Sequence, residues 1–99
     1  MAEKTILKNQ TNLDFKKPKM YKVILLNDDY TTMDFVVEIL ITVFHKTAAD
    51  ATRIMLDVHR TGKGIVGVYT YDIARTKIAL VEKLASEREF PLAAIMEPE

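Results

Sequence analysis

The sequence predicts a single α+β domain in the order βααβαβ, with three strands in one antiparallel sheet and three helices packed on it. Three observations lead there. Apolar runs of strand length occur at Met20–Leu26, Gly64–Thr70 and Leu92–Met96, the segments between them carry apolar residues at helical spacing, and turn or capping residues stand at the junctions. A chain of 99 residues can build one modest core and no second one.

Residues 1–19 carry Lys4, Lys8, Lys16, Lys17 and Lys19 against Glu3 and Asp14 and show neither helical nor strand period. With so little apolar surface to bury they read as a flexible N-terminal arm, which leaves 20–99 as the folded domain. The first strand, Met20–Leu26, stops at Asn27-Asp28-Asp29, three residues that favour turns. Thr31 or Thr32 can cap the next helix, Asp34 suits its first turn, and the helix is expected to reach about His45. Its polar residues Asp34, Glu38, Thr42 and His45 fall on one narrow stripe, so its apolar remainder must be buried on more than one side.

Thr47 and Asp50 form a capping pair that opens the second helix, which should end near Arg60 and Gly62. Ala51, Ile54, Met55 and Val58 mark its inner face, while Arg53 lies within reach of Asp50 and Asp57 on a solvated face. Thr70 closes the second strand and is placed to cap the third helix, about Asp72 to Arg88, with Ala74, Ile78, Val81 and Ala85 inward. Pro91 then leads into the last strand.

Composition narrows the function. The 14 basic residues equal the 14 acidic ones, so the chain as a whole presents no electrostatic footprint for nucleic acid or an anionic membrane. With no cysteine there can be no disulfide, thiolate metal site or cysteine nucleophile. The apolar runs stop well short of a membrane span and none resembles a signal peptide, so a cytoplasmic location is expected. No EF-hand, histidine-pair, phosphate-loop or Gly-x-Ser-x-Gly pattern occurs, so neither a metal, a cofactor nor a catalytic centre is expected.

What remains is Asn27-Asp28-Asp29-Tyr30-Thr31, two adjacent carboxylates and an amide where a buried strand becomes a helix. On composition and spacing a solvated turn with a helix cap explains this pattern better than a binding site does. His59, four residues after Met55, can share that residue's side of the second helix, yet spacing alone does not bring it to Asp28. Met33, Met55 and Val58 fit either a core or an adaptable binding surface.

Met20-Tyr21-Lys22-Val23-Ile24-Leu25-Leu26-Asn27-Asp28-Asp29-Tyr30-Thr31-Thr32-Met33-Asp34-Phe35-Val36 resembles the opening of the bacterial ClpS family, adaptors of the Clp protease. Met55-Leu56-Asp57-Val58-His59, with Gly62-Lys63-Gly64 and Gly67-Val68-Tyr69-Thr70, is similar to that family's second block. Thr76-Lys77 and the Pro91-Leu92 ending are similar to its third. The resemblance covers residues 20–97 and implies the same βααβαβ fold. Thr32 stands where the family often has proline, and a helix start accepts either.

The resemblance further implies a non-enzymatic adaptor that binds the free N-terminus of proteins beginning with Leu, Phe, Tyr or Trp and delivers them to a Clp AAA+ unfoldase. By its alignment Asn27, Asp28 and His59 would hold the substrate's α-amino group. Thr31, Met33, Val36, Ile39, Met55 and Val58 would line the side-chain pocket, with Met33 screening out β-branched residues. Asp72 and Lys77 would dock on the N-terminal domain of a ClpA-like or ClpC-like unfoldase, although a helix start and a solvated lysine explain them equally. Binding would weaken when the ligand amine loses its proton and when His59 gains one. A monomer is implied. The C-terminal domain of the ribosomal stalk protein, a partner-recruiting module of this size, shares the element order but not the Asn27-Asp28-Asp29 and Met55–His59 blocks.

Overall fold

The computed structural model describes residues 18–99, so the arm expected at 1–19 lies, up to residue 17, outside the described residues. Six elements follow in the expected order: β1 (Met20–Leu26), α1 (Met33–Thr42), α2 (Ala48–Thr61), β2 (Lys63–Thr70), α3 (Tyr71–Glu87) and β3 (Ala93–Pro98). The strands form one sheet in the order β2-β1-β3, antiparallel at both pairings. The central place of β1 follows from its sequence: Val23, Ile24 and Leu25 are all buried, which an edge strand with one wet face does not allow.

Val23 and Leu25 face the helices and join Phe35, Ile39, Leu40, Ile54, Val58 and Val81 in a single core. Ile24 points to the other side of the sheet, where Ile65 and Ile95 flank it in register and cover it. A register shift between Val23 and Ile24 gives β2 one extra residue, Val66, which is buried with the core.

Local chemistry explains most boundaries. The Phe35 N–H donates to the Thr32 hydroxyl at 3.2 Å, so of the two threonines offered it is Thr32 that caps α1, and the Asp50 N–H donates to the Thr47 hydroxyl at 3.1 Å, the cap anticipated for α2. Thr70 also holds an extended N-cap backbone, but its side chain makes no capping hydrogen bond.

Two ends differ from expectation. α1 stops at Thr42 rather than near His45, because Phe44 turns inward to 5% exposure and the backbone passes through a left-handed His45 at φ 57°. The Lys46 N–H then returns to the Leu40 carbonyl at 3.0 Å and takes up one of the freed acceptors. The last strand runs from Ala93 to Pro98 rather than Leu92 to Met96, since Leu92 is drawn into the core and the edge position tolerates a proline. Arg53 contacts Asp50 at 3.9 Å and Asp57 at 3.7 Å, all three largely exposed, as a solvated face requires.

Candidate functional site

The open question of the sequence, whether the turn after β1 meets the end of α2, is decided by backbone hydrogen bonds. Gly62 ends α2 in the left-handed conformation at φ 95°, and its N–H donates to the Val58 carbonyl at 3.0 Å. Its own carbonyl accepts from the Asn27 N–H at 2.9 Å. One residue thus closes the helix and fastens it to the first residue of the turn. Further in, a Cβ at Gly64 would lie 2.8 Å from Val58 Cγ2 and 3.1 Å from the Ile54 carbonyl oxygen, so only glycine lets β2 approach α2 this closely. These contacts fix Met55, Val58 and His59 opposite the turn and α1.

The turn is built around the Asp28 carboxylate. One oxygen accepts from the Tyr30 N–H at 2.8 Å and the Thr31 N–H at 2.7 Å, and the other accepts from the Thr31 hydroxyl at 2.7 Å. Partial burial pushes the carboxyl pKa up, but the Thr31 hydroxyl, the Thr31 N–H and the Tyr30 N–H together outweigh it and hold the group below its ordinary value. Asp28 is therefore a fixed anion at neutral pH. With both lone pairs of its first oxygen engaged, its remaining acceptor capacity is on the second.

Between these walls lies a cavity of about 380 Å³. Asn27, Asp28, Asp29, Thr31 and His59 form its polar end, and Met33, Val36, Met55 and Val58 its apolar part. The cavity is of ligand-binding size, though small for the class. Val36 and Val58 are buried and rigid, whereas Met33, the first residue of α1, stands 45% exposed at the surface. The chemistry suits a ligand with a donor-rich or cationic head and one apolar group. Among the described residues no three His, Cys, Asp or Glu side chains are grouped to hold a metal ion, and no helix is long and apolar enough to cross a membrane.

Of the residues that the sequence singled out for the pocket, Ile39 does not line it. At 1% exposure it belongs to the core. Asp29, which the sequence presented only as a neighbour of Asp28, does line it. The remaining eight border this one cavity. Asp72 and Lys77 lie elsewhere, on α3. Asp72 is exposed in the first turn and borders a shallow recess with Arg75, Thr76 and Ala79. Lys77 is not the freely solvated lysine that its sequence context allows: Nζ donates to the Val43 carbonyl at 2.8 Å and sits 5.7 Å from the centroids of both Phe44 and Tyr69. It thus satisfies a carbonyl at the end of α1, a helix with no basic residue in its last turn.

Comparison with known proteins agrees with this geometry. The family described as "ATP-dependent Clp protease adaptor protein ClpS" matches residues 16–95. The ATP-dependent Clp protease adapter protein ClpS of Acetivibrio thermocellus is 89% identical over 99 residues, covering 100% of both chains. Its namesake from Syntrophus aciditrophicus is 57% identical over 102 residues, covering 96% of this chain and 95% of that one. The solved structure of Agrobacterium tumefaciens ClpS2 bound to L-phenylalaninamide superposes with a TM-score of 0.81 at 44% identity, covering 84% of this chain and 100% of that one. Fold and sequence converge, and the chain belongs to the ClpS family of Clp protease adaptors.

Proposed function

We propose that the cavity receives the N-terminal residue of proteins beginning with Leu, Phe, Tyr or Trp, and that the chain delivers them to a Clp AAA+ unfoldase of the ClpA or ClpC type without breaking a bond itself. The observation that carries this reading is one small cavity with a hydrogen-bonded anion at its polar end and four apolar side chains beyond. A free α-amino group, with a reference pKa of about 7.7–8.0, is largely an ammonium at neutral pH, with three donors and no acceptor. Asn27 offers an amide oxygen, Asp28 the charge, and His59 one ring nitrogen as a further acceptor. The ligand named for the Agrobacterium relative, L-phenylalaninamide, has this composition: a free amine beside an aromatic side chain.

Magnitudes agree with reversible capture. Charge-assisted hydrogen bonds contribute roughly 1.5–3 kcal/mol each, and burying one leucine or aromatic side chain roughly as much again. Less the cost of ordering the peptide, this approaches the ~8 kcal/mol of micromolar binding. In this reading Met33, at the cavity wall, is the residue that screens out a branch at the ligand's Cβ.

The test is fluorescence anisotropy with peptides differing only at residue one. Phe, Leu, Tyr and Trp should bind with micromolar or tighter affinity and Ile and Val at least about tenfold more weakly, on the scale of 1–3 kcal/mol per misplaced methyl group. Equal binding of the Phe and Ile peptides would refute the pocket. Delivery is tested by degradation of a Phe-initiated reporter by a reconstituted ClpA-like or ClpC-like protease with and without this chain. An unchanged rate with both would refute that part.

A further inference from the structure

We infer that Met33 is an oxidation site at which hydrogen peroxide switches the cavity off. The inference rests on the proposed use of the cavity and adds a regulation to it. Without cysteine, methionine thioethers are the chain's only sulfur groups. Among the described residues Met20, Met55 and Met96 are half-buried, whereas Met33 is 45% exposed. The most exposed methionine of the described residues thus also lines the cavity. Its place in the chain explains why: as the first residue of α1, directly after the Thr32 cap, it has no preceding helical turn to pack on.

The chemistry is a two-electron transfer. A sulfur lone pair attacks one peroxide oxygen, the S–O bond forms as the O–O bond breaks, and the departing hydroxide takes the proton and leaves as water. The product sulfoxide replaces a flexible apolar group with a strong dipole at the mouth of an apolar cavity. Its apolar neighbours in the cavity, Val36, Met55 and Val58, carry no side-chain hydrogen-bond donor. A ligand side chain entering there would strip water from the sulfoxide without replacing its hydrogen bonds, which predicts an affinity loss of roughly tenfold or more. A methionine sulfoxide reductase, drawing two electrons from a thiol, would restore the site.

The experiment treats the full-length protein with graded hydrogen peroxide, follows each methionine by peptide mass mapping, and measures affinity for a Phe-initiated peptide in the same samples. Met33 should be oxidised before Met20, Met55 and Met96. Affinity should fall in step with Met33 sulfoxide and return after reductase treatment. Whatever Met33→Leu does to the starting affinity, its affinity should not change across the doses that oxidise only Met33 in the parent protein. Oxidation of Met33 no faster than of the other three would overturn the assignment. Tight binding by fully Met33-oxidised protein would overturn the switch alone. Failure of the untreated protein to bind would overturn the proposed use of the cavity and the switch with it, while the mass map would still report whether Met33 is the preferred site.

Discussion

Replacing Gly64 with alanine adds one methyl group where β2 crosses α2. The new Cβ would stand 2.8 Å from Val58 Cγ2, 3.1 Å from the Ile54 carbonyl oxygen and 3.3 Å from Ile54 Cγ2. Carbon pairs are comfortable at about 3.5–4.0 Å, so the helix and strand must part by roughly half an ångström or more. Neither neighbour yields easily: one is main chain, and the other is a helical valine with a single strongly preferred rotamer. Overpacking of this kind costs about 1–3 kcal/mol, which in a domain of this size lowers the thermal midpoint by roughly 4–20 °C. Because the displaced helix carries Met55, Val58 and His59, affinity for a Phe-initiated peptide should fall as well. Thermal unfolding by circular dichroism reads the first effect and anisotropy the second. Val58→Ala removes the methyl group that the new Cβ meets, so it should destabilise Gly64→Ala less than it destabilises the parent protein. A midpoint within about 2 °C of the parent, with additive double-mutant energetics, would refute the packing argument.

Other expectations follow from the same contacts. Asp28→Asn removes the fixed anion and the acceptor of the Thr31 hydroxyl, so affinity for a free N-terminus should drop roughly tenfold or more while an apolar-only ligand is little affected; equal affinity would contradict the clamp. Acid pH reports on the same carboxylate. A group whose folded pKa is depressed contributes stability that is complete above its unfolded pKa, about 3.9, and is lost as pH falls through the folded value. The gap in thermal midpoint between the parent and Asp28→Asn should therefore hold from neutrality down to about pH 5 and close progressively below about pH 4. A gap undiminished at about pH 2 would contradict the assignment. Lys77→Ala frees the Val43 carbonyl and should lower stability by about 1 kcal/mol in a urea titration of the isolated protein, an effect that a freely solvated lysine would not produce.

How much could be read in the sequence depended on how local each cause was. β1 and the Thr47 cap are set by residues within a few positions and were legible, and the cap of α1 was narrowed to Thr31 or Thr32. The early end of α1 was not, because it depends on Phe44 finding the core and on Lys46 returning to Leu40. Ile39, which the resemblance assigned to the pocket, lies one turn after Val36 on the same helix, and it is packed in the core and absent from the cavity lining. Bringing His59 to Asp28 depends on the Asn27–Gly62 hydrogen bond and on the bare Cα of Gly64, neither of which has a local signature. Family resemblance supplied that pairing where periodicity could not. Lys77 was ambiguous for the same reason, since its acceptor lies 34 residues away.

Recognition of a free N-terminus depends on the polar end of the cavity, and the most direct measurement compares one Phe-initiated peptide with its N-acetylated form by anisotropy at neutral pH. Acetylation keeps the aromatic side chain but removes the charge and leaves one donor in place of three. A clamp formed by Asn27, Asp28 and His59 predicts that affinity falls by roughly 100-fold or more, the worth of one or two charge-assisted hydrogen bonds. Equal binding of the two peptides would mean that the cavity recognises the apolar group alone and that the Asp28 turn serves only the fold.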